Sequence, residues 1–369
     1  MKIVIFGLTI SSSWGNGHAT LWRGLCRALA KRGHRIVFFE KDVPYYAENR
    51  DLIEVPDGNL ILYEDWESIR ARAEMELKDA DFALVSSYCP DGITAGDLLL
   101  SAPRAIRAFY DLDTPITFSR LDTGGPISYI GSRGLGDFDL VLSYTGGRAI
   151  ERLRTDLGAQ RVAPLYGHVD PDVHRPVHTI RHYVSDLSYL GTYAADRQNA
   201  LQRLFIDPAA FRPDRRFLIG GAQYPEDFPW QPNIHFVQHL PPPEHPAFFS
   251  SSRLTLNITR QAMAEMGWCP SGRLFEAAAC GAPILSDWWV GLDSFFEPGK
   301  DILIAANTDD AVAALDLTDA ELTRIARAGR ERTLAEHTSD HRAKELENLI
   351  EGSTSLLCPA ESSTAMMEA

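Results

Sequence analysis

The chain has 369 residues, 45% of them apolar and 23% charged, the balance of a water-soluble globular protein with room for two domains. Its 36 Lys and Arg face 50 Asp and Glu, a net charge of −14 that disfavours nucleic acid and anionic lipid as partners. Any phosphate site must then be a local basic pocket.

In chain order, Lys2–Phe6 predicts a first strand and not a signal peptide, since the apolar run passes straight into a loop. The loop Gly7–Gly17 precedes a predicted helix over Ala19–Arg32. Within it, Ser11-Ser-Ser-Trp-Gly-Asn-Gly-His18 places Gly15 and Gly17 where the backbone can approach a ligand, with His18 at the helix N-terminus. This is not a Gly-x-Gly-x-x-Gly fingerprint, and Glu40 at the end of the next strand (Arg35–Glu40) does not make it one. Further strands are predicted at Leu60–Tyr63, Phe82–Ser86, Ile106–Tyr110 and Leu140–Ser143. Asp111-Leu-Asp113-Thr-Pro115 follows the strand ending at Tyr110, either as carboxylates facing a ligand or as a turn in which Asp caps the backbone.

Pro164 to Pro176 is rich in turn formers and reads as the interdomain linker. Beyond it, strands are predicted at Asp186–Leu190, Arg216–Ile219, Ile234–Val237, Leu254–Ile258, Ala282–Leu285 and Ile302–Ala305. The segment Pro270–Asp287 reads as a helix capped by Ser271, followed by a buried strand, with Gly281 ending the helix. Orphan N–H groups at that helix start, with Arg273 beside them, suit a diphosphate; Glu276, one turn in, suits a ribose diol. Glu331–Leu349 predicts a charged amphipathic packing helix, and Glu351–Ala369 lacks periodicity and is expected to be disordered.

Two α/β series imply doubly wound domains over 1–168 and 169–350, with 351–369 as a tail, and the last helix of the second domain is a candidate to pack back on the first. Such a pair holds its ligand in the crevice at the carboxyl ends of the strands. No apolar run approaches the roughly 20 residues needed to span a bilayer, so no integral membrane contact is expected. Cys26, Cys89, Cys269, Cys280 and Cys358 have neither metal-ligand nor disulfide-framework spacing, which fits a cytoplasmic protein.

Trp14–Thr20, Phe109–Pro115, Tyr189–Gln198, Leu256–Arg260, Pro270–Asp287 and Phe295–Ala305, in this order and spacing, resemble the GT-B glycosyltransferases. The resemblance narrows to the CgeB-like (spore maturation protein) branch and spans about Met1 to Leu349. It implies a GT-B fold of two Rossmann-like domains, a nucleotide-diphosphate sugar (UDP-, GDP- or dTDP-) as donor, and an acceptor that is a small molecule, glycan or protein. It also implies that no metal or other cofactor is required.

Residue by residue, the resemblance puts Gly191 and Thr192 at the start of the donor-diphosphate pattern, with Thr192 in place of an Arg and Arg197 in place of a Lys. Arg273 and Arg260 are the candidates to replace the missing charge. Glu276 matches the ribose-binding Glu, with Ser271 and Gly272 at the phosphate-facing helix start. The partner Glu of that motif is Trp268 here, read either as a wall of the sugar site or as core. Gly221 and the backbone of His239 and Leu240 fall where the base rests. His18 is implied as a base on the acceptor or a phosphate ligand, against the simpler reading of a helix cap; Asp111 and Asp113 are implied to contact sugar or acceptor, Asp113 alternatively as the base. Two other functions share these motifs: a nucleotide-sugar 2-epimerase and a non-catalytic coat-associated relative.

Overall fold

The computed structural model describes residues 1–55 and 58–357. The first half forms a seven-stranded sheet from β1 (Lys2–Gly7), β2 (Arg35–Lys41), β3 (Gly58–Tyr63), β4 (Phe82–Ser86), β5 (Ile106–Asp111), β6 (Leu140–Ser143) and β7 (Val162–Pro164). Their order is β3-β2-β1-β4-β5-β6-β7, with every pairing parallel. The central strands are apolar on both faces because helices cover both, so β4 is buried at all five positions. One face packs Trp22, Leu25 and Leu29 of the first helix (His18–Lys31); the other packs Phe6, Phe39, Phe109 and Phe118.

The second half forms a six-stranded sheet from β8 (Leu187–Leu190), β9 (Phe217–Gly221), β10 (Ile234–Gln238), β11 (Thr255–Asn257), β12 (Ile284–Ser286) and β13 (Leu303–Ile304). It is again parallel, in the order β10-β9-β8-β11-β12-β13. The strand order reverses between β1 and β4 in one sheet and between β8 and β11 in the other. In such sheets the loops diverge at the reversal and leave a crevice at the carboxyl ends.

Three expectations are corrected. Val162–Pro164 is a strand, so the segment read as a linker starts inside the first sheet at Pro164. The single helix expected over Glu331–Leu349 is two, Asp319–Glu336 and Ser339–Leu357, broken at His337 and Thr338. The break frees backbone groups to pair with Val169 of the crossing segment: the Val169 N–H donates to His337 O (3.0 Å) and the Ser339 N–H to Val169 O (2.8 Å). Third, residues 351–357, expected to be disordered, continue this last helix; residues 358–369 lie outside the described residues.

The last helix belongs to the second half in sequence but packs on the first. Ala343, Leu346 and Ile350 enter the core around Trp22, and Glu347 takes an ion pair from Arg32 (2.6 Å) and a hydrogen bond with His34 (2.6 Å). The Arg32 contact, followed by that of His34, holds the Glu347 carboxyl down to about 2. Among the described residues no helix is long and apolar enough to cross a membrane. Cys26, Cys89, Cys269 and Cys280 are buried free thiols, and Cys358 lies outside the described residues.

Candidate active site

A cleft of about 540 Å³ opens between the carboxyl ends of the two sheets. Of the residues singled out from the sequence as facing a ligand, Asp111 and Trp268 do not line it; His18, Asp113 and the thirteen expected at the donor do.

On the first-sheet wall, the loop after β1 is anchored from below by Glu40. Its buried carboxylate accepts hydrogen bonds from Thr9 Oγ1 (2.6 Å), Ser11 Oγ (2.6 Å) and the N–H groups of Ile10 (2.8 Å) and Ser11 (3.0 Å). This acid at the end of β2 therefore holds a loop and reads no ligand. Gly15 needs its positive φ of 59°, whereas a Cβ on Gly17 would meet nothing within 4 Å. The backbone N–H of His18 is satisfied by Asn16 Oδ1 (3.1 Å), so the His18 ring is not spent on capping. Its Nε2 instead lies 3.6 Å from Asp113 Oδ2.

Asp111 and Asp113 part company. Asp113 lines the cleft, while Asp111, the last residue of β5, is wholly buried behind the wall. Its Oδ1 accepts the Asp113 N–H (3.1 Å), Oδ2 has no partner, and burial pushes its carboxyl up to about 6. That position supports the loop, and of the two carboxylates expected at the crevice Asp113 alone lines it.

The second-sheet wall is basic. Arg197 sits in a short turn after β8; its Nη1 donates to Thr192 O (3.1 Å) and its Nε is buried without a partner. Arg273, in the helix Gly272–Ala279, is enclosed: Nη1 donates to Asn257 Oδ1 (3.2 Å) and the guanidinium lies 5.3 Å from the Tyr189 ring centroid. Burial pushes its pKa down, and Arg197 pushes the same way. Two under-partnered guanidinium groups close together favour an anion between them. A Cβ on Gly191 would come to 2.9 Å from Tyr189 Oη and 3.0 Å from Arg273 Nη2, so a side chain there would push on the ends of both. Arg260, the other candidate cation, is tied to Asp196 (3.0 Å) and brings less free charge.

Ser271 takes the N-cap position, yet contrary to expectation its hydroxyl makes no capping bond. The first-turn N–H groups thus lack a side-chain cap, and a Cβ on Gly272 would meet only Tyr144 Oη, at 3.9 Å. One turn in, Glu276 is nearly buried; Thr20 Oγ1 of the first half donates to its Oε1 (3.3 Å). His174 Nε2 stands 3.9 Å from Oε1 and His245 Nδ1 3.8 Å from Oε2. Burial alone would raise this carboxyl, but His174, His245 and Arg273 outweigh it and hold it below the usual range.

At the far end, Gly221 packs against Gly191, where a Cβ would fall 2.0 Å from Gly191 O. The His239 N–H donates to Gly221 O (2.7 Å), and its ring meets Trp14 of the opposite wall at a centroid distance of 3.8 Å. Leu240 is buried beside it.

Trp268 is not part of the cleft lining. At φ 42° its N–H donates to Val290 O (2.7 Å), its carbonyl accepts the Gly146 N–H (2.9 Å), and its ring fills the space where Gly147 and Gly291 lack side chains. Of its two readings, core between the halves is the one the geometry fits. Sequence reasoning missed Thr20, Tyr88, Tyr144, His174 and His245. Thr20 closes the Trp14–Thr20 motif without being singled out there, and the other four sit in no pattern that marks them.

Two parallel sheets meeting across a cleft define the GT-B glycosyltransferase fold, and solved structures of that class superpose on nearly the whole chain. Sucrose-phosphate synthase from Thermosynechococcus elongatus matches with a TM-score of 0.65 at 15% identity, covering 96% of this chain and all of that one. Anabaena HepE, solved with UDP and glucose, gives 0.65 at 12% identity, covering 95% of this chain and all of that one. An α-glucosyltransferase in complex with UDP gives 0.66 at 12% identity, with the same coverage. More particularly, residues 197–348 match the glycosyl transferase-like family model, a stretch that contains Arg197, Arg273 and Glu276. No curated sequence matches the chain.

Proposed function

We propose that the protein transfers a sugar from a nucleoside-diphosphate sugar to an acceptor, as a CgeB-like GT-B glycosyltransferase. The observation that carries this reading is the pairing of Arg197 and Arg273 at an uncapped helix N-terminus, one turn from the buried carboxylate of Glu276. Phosphate oxygens would take the two guanidinium groups and the first-turn N–H groups, and those same groups would stabilise the charge that grows on the leaving diphosphate. Glu276 would hold the ribose, and the backbone from His239 to Leu240 would border the base. His18 and Asp113 face this wall from the other sheet, the place for an acceptor hydroxyl, whose proton His18 would take with Asp113 orienting the imidazole. In this reading residues 1–168 carry the acceptor side and 169–350 the donor side, and because fixed cations already face the leaving group, turnover needs no divalent metal.

The test is release of nucleoside diphosphate from a panel of UDP-, GDP- and dTDP-sugars, with and without candidate acceptors, in EDTA. Acceptor-dependent release is expected. Arg197→Ala and Arg273→Ala should each weaken nucleoside-diphosphate binding by about 1.5–3 kcal/mol in calorimetry. A sugar altered without nucleotide release would point to epimerisation, and unchanged isotherms for both variants would overturn the site.

A further inference from the structure

Side chains from three segments meet at one edge of the cleft: His174 of the segment crossing between the halves, His245 at the start of the helix His245–Ser250, and Glu276 of the helix Gly272–Ala279. One ligating atom from each lies within 4.8 Å of the other two. His174 Nε2 is 3.9 Å from Glu276 Oε1 and His245 Nδ1 is 3.8 Å from Oε2, both too long for hydrogen bonds. His174 is only 4% exposed, and neither of its ring nitrogens has a partner. Its place is fixed by the backbone, where its N–H donates to Asp170 O (2.8 Å). Buried polar atoms are normally paired, so these nitrogens need an account.

His245 shows what the cluster suits. Its Nε2 lies 3.3 Å from Leu240 O, and a carbonyl only accepts, so Nε2 carries the proton. The lone pair is left on Nδ1, which is buried without a partner and faces the carboxylate. A backbone carbonyl that fixes the far ring nitrogen as a donor is the support found behind metal-bound imidazoles. Glu276 brings the negative charge. Its ion-pair partners among the described residues are these two rings, while Arg273 on the same helix is engaged by Asn257 and the Tyr189 ring. Two imidazoles and one carboxylate suit a borderline cation such as Zn²⁺, whereas Mg²⁺ and Ca²⁺ take oxygen ligands. Tetrahedral Zn²⁺ holds its ligands about 3.3 Å apart, so small side-chain rotations close the cluster on the ion. His245 and Glu276 line the cleft and His174 stands behind them, which turns the fourth position toward the cleft.

We propose that His174 Nε2, His245 Nδ1 and the Glu276 carboxylate bind one Zn²⁺-class cation, and that this cation and a nucleoside diphosphate exclude each other. The cation site stands on the cluster alone. The exclusion rests on the nucleotide reading above, which uses the same carboxylate for the donor. Zinc is then an inhibitor of the transfer and takes no part in it, and EDTA frees the site.

The test is titration of the EDTA-dialysed full chain with Zn²⁺ by calorimetry, and with Co²⁺ as a spectroscopic stand-in. The wild type should bind about one equivalent and show the intense visible bands of four-coordinate cobalt. His174→Phe and His245→Phe should each weaken Zn²⁺ by more than the about 10- to 100-fold that loss of a supporting group costs. The absence of stoichiometric binding by the wild type overturns the proposal without recourse to any variant. So does an affinity that survives in folded His174→Phe or in the milder His174→Gln, because the exposed His178 and His182 would then hold the metal. In a chelator buffer that fixes free Zn²⁺, UDP binding to the wild type should weaken as Zn²⁺ rises, and binding to His174→Phe much less, a comparison that discounts zinc held by UDP itself. Equal weakening in both proteins, or none in the wild type, overturns the exclusion. A wild type that binds Zn²⁺ but no nucleoside diphosphate sinks the nucleotide reading and leaves the cation site standing.

Discussion

His18 Nε2 lies 3.6 Å from Asp113 Oδ2, joining the start of the first helix to the residue before the helix Thr114–Asp122. The two come from the ends of β1 and β5, which are not neighbours in the sheet, and they meet because both loops descend into the same crevice. In the proposed reaction this carboxylate faces the imidazole that takes the acceptor proton. His18→Ala should lower turnover about 100-fold or more with donor affinity nearly kept, and Asp113→Asn should follow in the same direction. Steady-state kinetics beside calorimetry would check this; full turnover in both variants would remove the pair from the chemistry.

Gly17 and Gly272 border the cleft where the protein itself leaves room for a Cβ. Neither has a positive φ, so an added methyl costs the folded chain nothing in backbone strain. Gly17→Ala and Gly272→Ala should leave stability unchanged or raise it by up to about 1 kcal/mol. Donor binding should nonetheless fall by about tenfold or more, since the methyl occupies space that a phosphate or acceptor needs. Thermal melting and nucleotide titration on the same samples separate the two effects.

Trp268 is wedged between Gly147 of the first half and Gly291 of the second, each with a positive φ. A Cβ on Gly147 would come within 2.5 Å of Trp268 Cε3. Gly147→Ala should therefore destabilise the protein by about 1–3 kcal/mol through strain and overpacking. Trp268→Ala should lower the melting temperature far more than it changes KM for the donor. A KM effect that dominates would restore Trp268 to the sugar site.

Acid should destabilise the fold, with a sign set by buried histidines. Burial, reinforced by Arg342, pushes His168 and His337 down to about 3; burial likewise pushes His245 down to about 4. In the unfolded chain these rings titrate near 6.5, so below that pH the unfolded state binds protons that the folded state refuses. Asp111 and Asp287, raised by burial to about 6, act oppositely, because the folded state takes their protons first between pH 6 and 4. Three larger shifts outweigh two smaller ones, and going from pH 7 to pH 5 should cost roughly 3 kcal/mol. Urea unfolding at pH 7, 6 and 5 would show it; a midpoint that rises in acid would refute it.

Much of this protein follows from local runs of sequence. Phe82–Ser86 and Leu140–Ser143 are strands with the bounds their composition gives, because a parallel strand covered on both faces is a short apolar run wherever it sits. Arg197, Arg273 and Glu276 were legible as residues of the cleft wall, since strand ends and helix starts in an α/β fold already lie at the crevice. Only the tertiary structure separated Asp111 from Asp113, since two positions of shift at the end of β5 decide between a wholly buried support and a half-buried carboxylate that lines the cleft. The same holds for Val162–Pro164, whose three residues are too few to carry a pattern and become a strand by pairing with β6. The break at His337 is fixed by Val169, more than 160 residues away, and Thr20 of the first half reaches Glu276 of the second only because the two walls close on one cleft. Periodicity reports what a residue does to its neighbours in sequence; hydrogen-bond partners across the fold are set by packing, and the chemistry of the cleft is made of those.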